Sequence, residues 1–288
     1  MIVILISWLF NGFLLGLMYL LAMMPFHKQA VHSMDWIIFG YGITTVLMLS
    51  GISKAGIYFL RLYIGCRVPV ASERQKIEPL LLEVLSVVNQ IKKTNYRVDK
   101  LEIMLVNSKV PDSQAIGGNT ILLVDGLLVT ASDDELKAVI AHELGHLYNR
   151  DSFILPILIF GGLPTRIVIW LNSVYAACRK LLSSVVGKFG KKGLHLMPVI
   201  AFIPLIIFLP VIILNWVARW LLDISLCFMC RQYAYKADKF ANDVGYKEGL
   251  IRYLETIHII TKPDGGLWER VSAAHPAAMK RIGQLEKQ

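Results

Sequence analysis

The stretch AVIAHELGHLYNRD, residues 138–151, sets two histidines and a glutamate in the spacing H-E-x-x-H. Positions i and i+4 lie on the same face of a helix, so His142 and His146 can share one metal ion through their imidazoles. Glu143 lies beside the first histidine, where a carboxylate can take a proton from a metal-bound water. The pattern therefore predicts a Zn2+ site suited to amide hydrolysis, although the spacing does not exclude other divalent metals.

The sequence upstream predicts that this motif lies well inside a helix of a small mixed domain. Ser132 and Glu135 have capping-box spacing, and acidic residues fill the first turn. The segment ERQKIEPLLLEVLSVVNQIKK, residues 73–93, has apolar residues at helical spacing and predicts an amphipathic helix. LEIMLV and TILLV predict short strands, and the turn formers of PDSQAIGGN lie between them. We therefore expect a small sheet before the motif.

The apolar composition predicts a membrane protein. The 288 residues are 55% hydrophobic, and residues 1–24, 36–53 and 196–218 carry no charge, while block 152–178 is interrupted only by Arg166. Each block is about the length that crosses a bilayer core, roughly 20 residues. We expect a mainly α membrane protein, in which transmembrane helices accompany a cytoplasmic α+β, zincin-like catalytic domain with a small β-sheet. The expected division is a transmembrane hairpin over 1–66, a catalytic region over 67–151, two further membrane segments over 152–230, and the C-terminal part of the catalytic domain over 231–288.

The basic residues predict an orientation. The net charge of +9 is typical of a chain whose lysines and arginines flank membrane spans on the cytoplasmic side, so the lipid bilayer is the expected partner and nucleic acid is not. Loop 26–35 has one lysine, whereas five basic residues follow the second span: Lys54, Arg61, Arg67, Arg74 and Lys76. The polar regions should then face the cytoplasm. The basic linker 179–195 would lie outside if both flanking blocks crossed fully, and its topology stays open.

The order of the motifs resembles one known family. The N-terminal hairpin, DDELKAVIAHELGH, two apolar blocks, YKADKFA and AHPAAMKRI together resemble the HtpX-type integral membrane zinc metallopeptidases, which are related to the CAAX prenyl endopeptidases. The resemblance implies a multi-pass protein of the cell inner (plasma) membrane that binds Zn2+ and cuts protein or peptide substrates. It also implies a role in quality control of membrane proteins during stress. In that family the third zinc ligand is a glutamate in an E-x-x-x-D pattern, and the aspartate supports a zinc histidine by a hydrogen bond.

The matching stretch, RQYAYKADKFA, departs from the family pattern at one position. Asp238 matches the supporting aspartate, but Ala234 stands where the glutamate ligand is expected, and a methyl group cannot bind zinc. Three interpretations stay open. The alanine is a substitution that inactivates a protease, or the chain is a natural degenerate enzyme, or another acid such as Asp238 or Asp243 binds the metal.

Two further assignments rest on the resemblance. AHPAAMKRI implies that His275 stabilises the developing oxyanion, with Arg281 as a weaker candidate for the same role. PDSQAIGGNTILLV resembles the edge strand that pairs with a substrate backbone, which makes Gly117, Gly118 and Asn119 substrate-binding candidates. The same three residues fit an ordinary turn equally well.

Two functional classes follow from these residues. The first is a membrane zinc endopeptidase, of which this chain is an inactivated variant. The second is a natural pseudoprotease that binds membrane-protein clients or regulates a partner without cutting. A transporter is disfavoured, because Arg166 is the one charge inside the apolar blocks.

Overall fold

The computed structural model describes residues 2–23, 34–186, 228–260 and 277–287, together with the isolated positions 213, 216 and 220. Within this part, three segments are long and apolar enough to cross a membrane: Ile2–Leu20, Asp35–Ile52 and Asp151–Leu171. They confirm the predicted membrane helices of the first, second and third apolar blocks along the chain. The remaining block, 196–218, lies almost wholly outside the described residues.

The first compact unit comprises residues 1–49 and 158–223 and contains most of the apolar helices. Helix α1 (Ile2–Met23) packs against α2 (Asp35–Ile52) through glycines, since a Cβ atom on Gly40 would lie 2.1 Å from the carbonyl oxygen of Gly12. Small residues of this kind let membrane helices approach closely. Asn11 links α1 to a later helix by accepting a 2.8 Å hydrogen bond from the hydroxyl of Thr165.

The second compact unit comprises residues 50–157 and 224–288. Its helices in the first part of the chain are α3 (Lys54–Ile64), α4 (Ala71–Lys92), α5 (Asp125–Thr130) and α6 (Asp133–Asn149). Helix α7 (Ile154–Gly161) begins in this unit, whose first segment ends at Ile157. Helix α8 (Leu163–Val186) belongs to the first unit. A helix over residues 228–243, here α9, then precedes α10 (Lys247–Ile260) and α11 (Ala278–Leu285). The predicted mainly α fold is confirmed.

A three-stranded sheet supports the H-E-x-x-H helix. Strands β1 (Glu102–Val106), β2 (Ser113–Ile116) and β3 (Thr120–Val124) lie in the order β1-β3-β2. Strand β1 is parallel to β3, and β2 is antiparallel to β3, with Ala115 opposite Ile121. Strand β2 is therefore an edge strand of this sheet. The segment PDSQAIGGN was expected to be a loop, but four of its residues, Ser113–Ile116, form β2 and pair with β3.

Helix α6 begins and ends as the local sequence dictates. The Ser132 hydroxyl accepts from the backbone of Glu135, whose carboxylate accepts from the Ser132 amide at 2.7 Å, so the predicted capping box is present. At the other end Arg150 adopts a left-handed conformation with φ of 59° and reverses the chain. The middle of the helix is buried in the hydrophobic core, where Leu136, Ile140 and Leu144 have no exposed surface.

The compact units divide the chain differently from the expected domains. Residues 50–66 were expected to complete the N-terminal hairpin, but they fall in the second unit together with the sheet. The physical reason is Ser53, which breaks the apolar run and caps a new helix by accepting from the amide of Gly56 at 3.0 Å. The new helix, α3, buries Ile57 and Leu60.

Candidate active site

The three residues of the motif lie together on the buried part of α6. The rings of His142 and His146 are edge to face, with centroids 4.9 Å apart. His142 and Glu143 are 5% and 2% exposed. One helical turn therefore brings both imidazoles to the same side of the helix, as the spacing predicted, with the glutamate beside them.

A different aspartate holds each histidine. Asp238 Oδ1 on α9 lies 2.9 Å from Nδ1 of His142, and Asp151 Oδ1 lies 2.8 Å from Nδ1 of His146. Because an ionised carboxylate can only accept, each Nδ1 carries the proton. In the neutral form of each ring, the Nε2 atom is then the unprotonated nitrogen that can bind a metal ion.

The pKa values of the two histidines are shifted in opposite directions. Burial dominates at His142 and lowers its pKa to about 3, despite the neighbouring Asp238. Burial also disfavours the charged form of His146, but the hydrogen bond that its ring donates to Asp151 and the charge of Glu143 outweigh burial and raise the pKa of His146. His142 is therefore neutral at physiological pH, the form that binds metals.

The carboxylate of Glu143 is held on one side and unpartnered on the other. Its Oε1 accepts a 2.6 Å hydrogen bond from the hydroxyl of Ser113, and the backbone amide of Ala115 also donates to it. Among the described residues its Oε2 has no partner, although it is buried. Burial raises the pKa of Glu143. A buried carboxylate oxygen left open beside two imidazoles fits a site for water, where it can accept a proton.

Tyr253 belongs to the same hydrogen-bond network as Ser113 and Glu143. The hydroxyl of Tyr253, on α10, hydrogen-bonds the side chain of Ser113. Burial, together with the charges of Asp112 and Glu143, raises the pKa of Tyr253. The Ser113 hydroxyl therefore lies between the phenol of Tyr253 and the carboxylate of Glu143, to which it donates. Ser113 on β2 thus fixes the position of the Glu143 carboxylate directly, and Tyr253 on α10 acts through Ser113.

The third-ligand position contains no donor. Ala234 lies one helical turn before Asp238 on α9 and is completely buried. Asp238 is on the Nδ1 side of His142, and both its oxygens also accept from Arg281. Asp243 pairs with Lys92 at 2.7 Å. These contacts favour neither acid as a replacement ligand.

The described residues fit zinc in part. Two imidazoles whose Nδ1 atoms lie against aspartates and the open Glu143 oxygen match a zinc hydrolase, in which His142 and His146 would hold the ion. In the described part of the chain, no group of three or more His, Cys, Asp or Glu side chains could hold a metal. The donor set is therefore one ligand short of the usual three protein ligands.

Arg281, the weaker oxyanion candidate, contacts the aspartate that lies beside His142, and a role at the oxyanion stays a prediction. Its guanidinium donates to Asp238 Oδ2 at 2.8 Å and to Oδ1 at 2.5 Å, and Arg281 is 7% exposed. The arginine thus positions the aspartate that positions His142. His275, the oxyanion candidate, lies outside the described residues.

The substrate-binding candidates lie in the turn between β2 and β3. Gly117 has a φ of 64°, a conformation that glycine adopts without strain, and its amide donates to the Ser152 carbonyl at 3.1 Å. The Asn119 side chain donates to the Lys100 carbonyl at 3.2 Å. These are contacts of a structural turn, and substrate binding by Gly117, Gly118 and Asn119 stays a prediction.

Sequence reasoning did not single out Ser113, Asp151 or Tyr253. Asp151 follows the motif by five positions, and the left-handed Arg150 turns it back toward His146. That signal, an acid directly after the end of a histidine-bearing helix, was available. Ser113 and Tyr253 gave no local signal, because their contacts join elements far apart in the chain.

The described fold and site define a class of protein, the membrane proteins with a zincin-like H-E-x-x-H helix. The edge strand β2 lies next to that helix. Residues 74–288 match Peptidase family M48, and the chain belongs to that family. The resemblance noted in the sequence is thereby confirmed at the level of the family.

Individual relatives agree. The chain is 26% identical over 252 residues to Protease HtpX of Shewanella halifaxensis, covering 85% of this chain and 77% of that protein. It is 35% identical over 97 residues to a Protease HtpX homolog of Thermoplasma acidophilum, covering 32% of this chain and 30% of the relative. It is 30% identical over 174 residues to CAAX prenyl protease 1 of Saccharomyces cerevisiae, covering 58% and 38%. The last two matches thus span about a third of those relatives.

A solved structure has a similar fold. The crystal structure of S. mikatae Ste24p superposes with a TM-score of 0.52 at 18% identity, covering 98% of this chain and 62% of that one. At this identity the likeness concerns the fold alone. It agrees with the membrane helices and the small sheet described above.

Proposed function

We propose that this chain is an inactivated form of a membrane-embedded, zinc-dependent endopeptidase. One observation carries the proposal: the catalytic glutamate and two oriented histidines are intact, while the third-ligand position is a buried methyl group at Ala234. If hydrolysis had not been selected for, nothing would preserve the hydrogen bond by which Ser113 orients Glu143. Loss at one position points to a single inactivating substitution.

The chain's own residues would perform most of the catalytic work in the restored enzyme. His142 and His146 would hold Zn2+, which when bound polarises the peptide carbonyl and acidifies water. Glu143 would accept the proton of the attacking water at Oε2 and later pass it to the leaving amine. Asp238 and Asp151 would keep the imidazoles in the metal-binding tautomer. Strand β2 would pair with the substrate backbone.

The expected substrates are proteins or peptides, and membrane proteins above all. This expectation, and a role in membrane-protein quality control, rest on the resemblance to HtpX proteases. The excess of basic residues after the second span supports a site that faces the cytoplasm. A location in the cell inner membrane rests on the same resemblance.

One experiment tests the assignment. The full chain and its Ala234→Glu variant are purified, loaded with zinc, and incubated with a model membrane-protein substrate; zinc content is measured in parallel. We expect only the variant to retain one zinc per chain and to cut, and a chelator to stop it. The double variant Ala234→Glu, Glu143→Gln serves as the control that binds zinc without cutting.

The alternative is a natural pseudoprotease. If Ala234→Glu binds zinc and substrate but still does not cut, the endopeptidase proposal fails and client binding without hydrolysis is favoured. If the unmodified chain already cuts at the rate of the variant, the third ligand lies elsewhere and the assignment of Ala234 is wrong.

A further inference from the structure

Helix α3 has an apolar aromatic face that its own folding unit leaves open. Tyr58, Phe59, Leu62 and Tyr63 are 58%, 61%, 58% and 76% exposed, whereas Gly56, Ile57 and Leu60 of the same helix are buried. At 100° per residue these four positions fall on one side of the helix. An exposed patch of this kind in a folded unit marks a surface that meets a partner.

The opposite side of α3 is firmly attached to the sheet. Ile57 and Leu60 are 8% and 2% exposed, and a Cβ atom on Gly117 would lie 2.4 Å from the Ile57 side chain. Arg61 forms an ion pair with Glu102 and a hydrogen bond with Thr120, on two strands. The open face is thus held in a fixed orientation relative to the edge strand.

The chain connectivity places α3 at the end of a membrane span. The span Asp35–Ile52 ends at Ile52 and α3 begins at Lys54, so Ser53 is the single residue between them. The corner is tight, since a Cβ atom on Gly56 would lie 2.1 Å from the Ser50 carbonyl oxygen. The first residues of α3 therefore cannot lie far from the membrane boundary, because consecutive Cα atoms are about 3.8 Å apart.

A second membrane segment meets the same corner. The span Asp151–Leu171 begins directly after α6, and a Cβ atom on Gly51 would lie 2.6 Å from the carbonyl oxygen of Pro156, on α7. The end of one span and the start of another are thus side by side within the second unit. Because the end of one span and the start of another both lie near the beginning of α3, the bilayer surface is expected to lie near this helix.

We infer that α3 lies in the membrane interface, with Tyr58, Phe59, Leu62 and Tyr63 inserted among the lipids. The partner is a phospholipid surface. Tyrosines are enriched at this depth because their rings suit the acyl boundary and their hydroxyls the headgroups. Interfacial helices bury their apolar face by about 5–10 Å, and the exposed Lys54 at the start of α3 suits anionic headgroups. Through Ile57 and Arg61, this anchor holds the β2 edge and the site at the level of the bilayer surface.

Photocrosslinking tests the inference without depending on catalysis. Phe59 and Tyr63 are replaced singly by p-benzoylphenylalanine, which keeps an aromatic ring at an exposed position and so does not disturb the fold. Leu82 on α4, 56% exposed and flanked by Glu78 and Glu83, is the matched control. Each full chain is reconstituted in nanodiscs of phosphatidylethanolamine and phosphatidylglycerol, irradiated, and analysed by mass spectrometry.

We expect lipid adducts at positions 59 and 63 at a yield at least about tenfold above position 82. A dimer-sized adduct at positions 59 and 63 would show that a second copy covers the face and would overturn the inference. Absence of lipid adducts at both positions, or equal yields at all three, would also overturn it. Neither result bears on hydrolysis, so failure here is distinguishable from failure of the proposed function.

Discussion

Arg281 donates two hydrogen bonds to Asp238, and the same carboxylate lies 2.9 Å from Nδ1 of His142. The last described helix is thereby tied to the H-E-x-x-H helix through a buried ion pair that involves no metal. The histidine keeps its metal-binding orientation in a chain whose third-ligand position is Ala234. The orientation of His142 therefore depends on Arg281 and Asp238, whereas zinc binding also depends on the residue at position 234.

The Arg281–Asp238 pair should be a large contributor to stability. We expect Arg281→Ala to lower the free energy of unfolding by about 3–5 kcal/mol, because it leaves Asp238 buried without its charge partner. Arg252→Ala is the matched control: Arg252 and Asp134 are 3.3 Å apart with side chains 52% and 67% exposed, and such pairs contribute less than about 1 kcal/mol. Thermal unfolding of both purified variants checks this, and equal losses would contradict it.

The same pair predicts the acid sensitivity of the fold. Burial opposes ionisation of Asp238, but Arg281 and His142 outweigh it and hold the pKa of Asp238 well below its usual value. A lowered carboxyl pKa contributes stability that is present above the unfolded pKa, about 3.9, and is lost as the pH falls below it toward the folded pKa. Melting temperatures measured from pH 7 to pH 3 should therefore decline. Asp238→Asn should be less stable at pH 7 but decline less steeply, and parallel curves would exclude Asp238 as the cause.

The Ser113 hydroxyl should matter for proton transfer rather than for metal binding. In an Ala234→Glu background, we expect Ser113→Ala to reduce kcat by about 10–100-fold, which corresponds to the roughly 1.5–3 kcal/mol of a hydrogen bond to a charged group. The cause is loss of the 2.6 Å contact that fixes Glu143. Ser113→Thr retains the hydroxyl and should recover much of the rate. Zinc content should be the same in all three proteins, and a parallel loss of zinc would refute a role confined to Glu143.

The glycine of the motif has a packing role of its own. A Cβ atom on Gly145 would lie 3.0 Å from the Cβ atom of Phe240 and 3.1 Å from the Cα atom of Ala237, so α6 and α9 approach closely there. We expect Gly145→Val to destabilise the fold by about 1–3 kcal/mol through overpacking. Gly283 on α11 is the control, since a Cβ atom there meets nothing within 4 Å. Gly283→Ala should leave stability unchanged or raise it by about 0.4–1 kcal/mol, and destabilisation of similar size in both variants would argue against the packing explanation.

Several features could be predicted from the sequence because their causes are local. The capping box of Ser132 and Glu135, the helical register of His142 and His146, and the apolar lengths of the first spans all depend on residues within a few turns of each other. Periodicity, capping and hydropathy act over that range. Family membership followed from the order of such local motifs.

Only the tertiary structure decided which side chains surround the motif. Ser113 and Arg281 reach Glu143 and Asp238 across sequence separations of 30 and 43 residues. Contacts between residues far apart in the chain leave no periodic pattern in the sequence, so the pairing of Arg281 with Asp238 could not be predicted from it. The assignment of α3 to the sheet unit also depended on packing, because Ile57 lies against Gly117 in the β2–β3 turn and Arg61 contacts Glu102 and Thr120 on two strands. The sequence by itself determined the chemistry that α6 can offer, since that chemistry needs only helical spacing; the partners that orient it were determined by how distant elements pack in three dimensions.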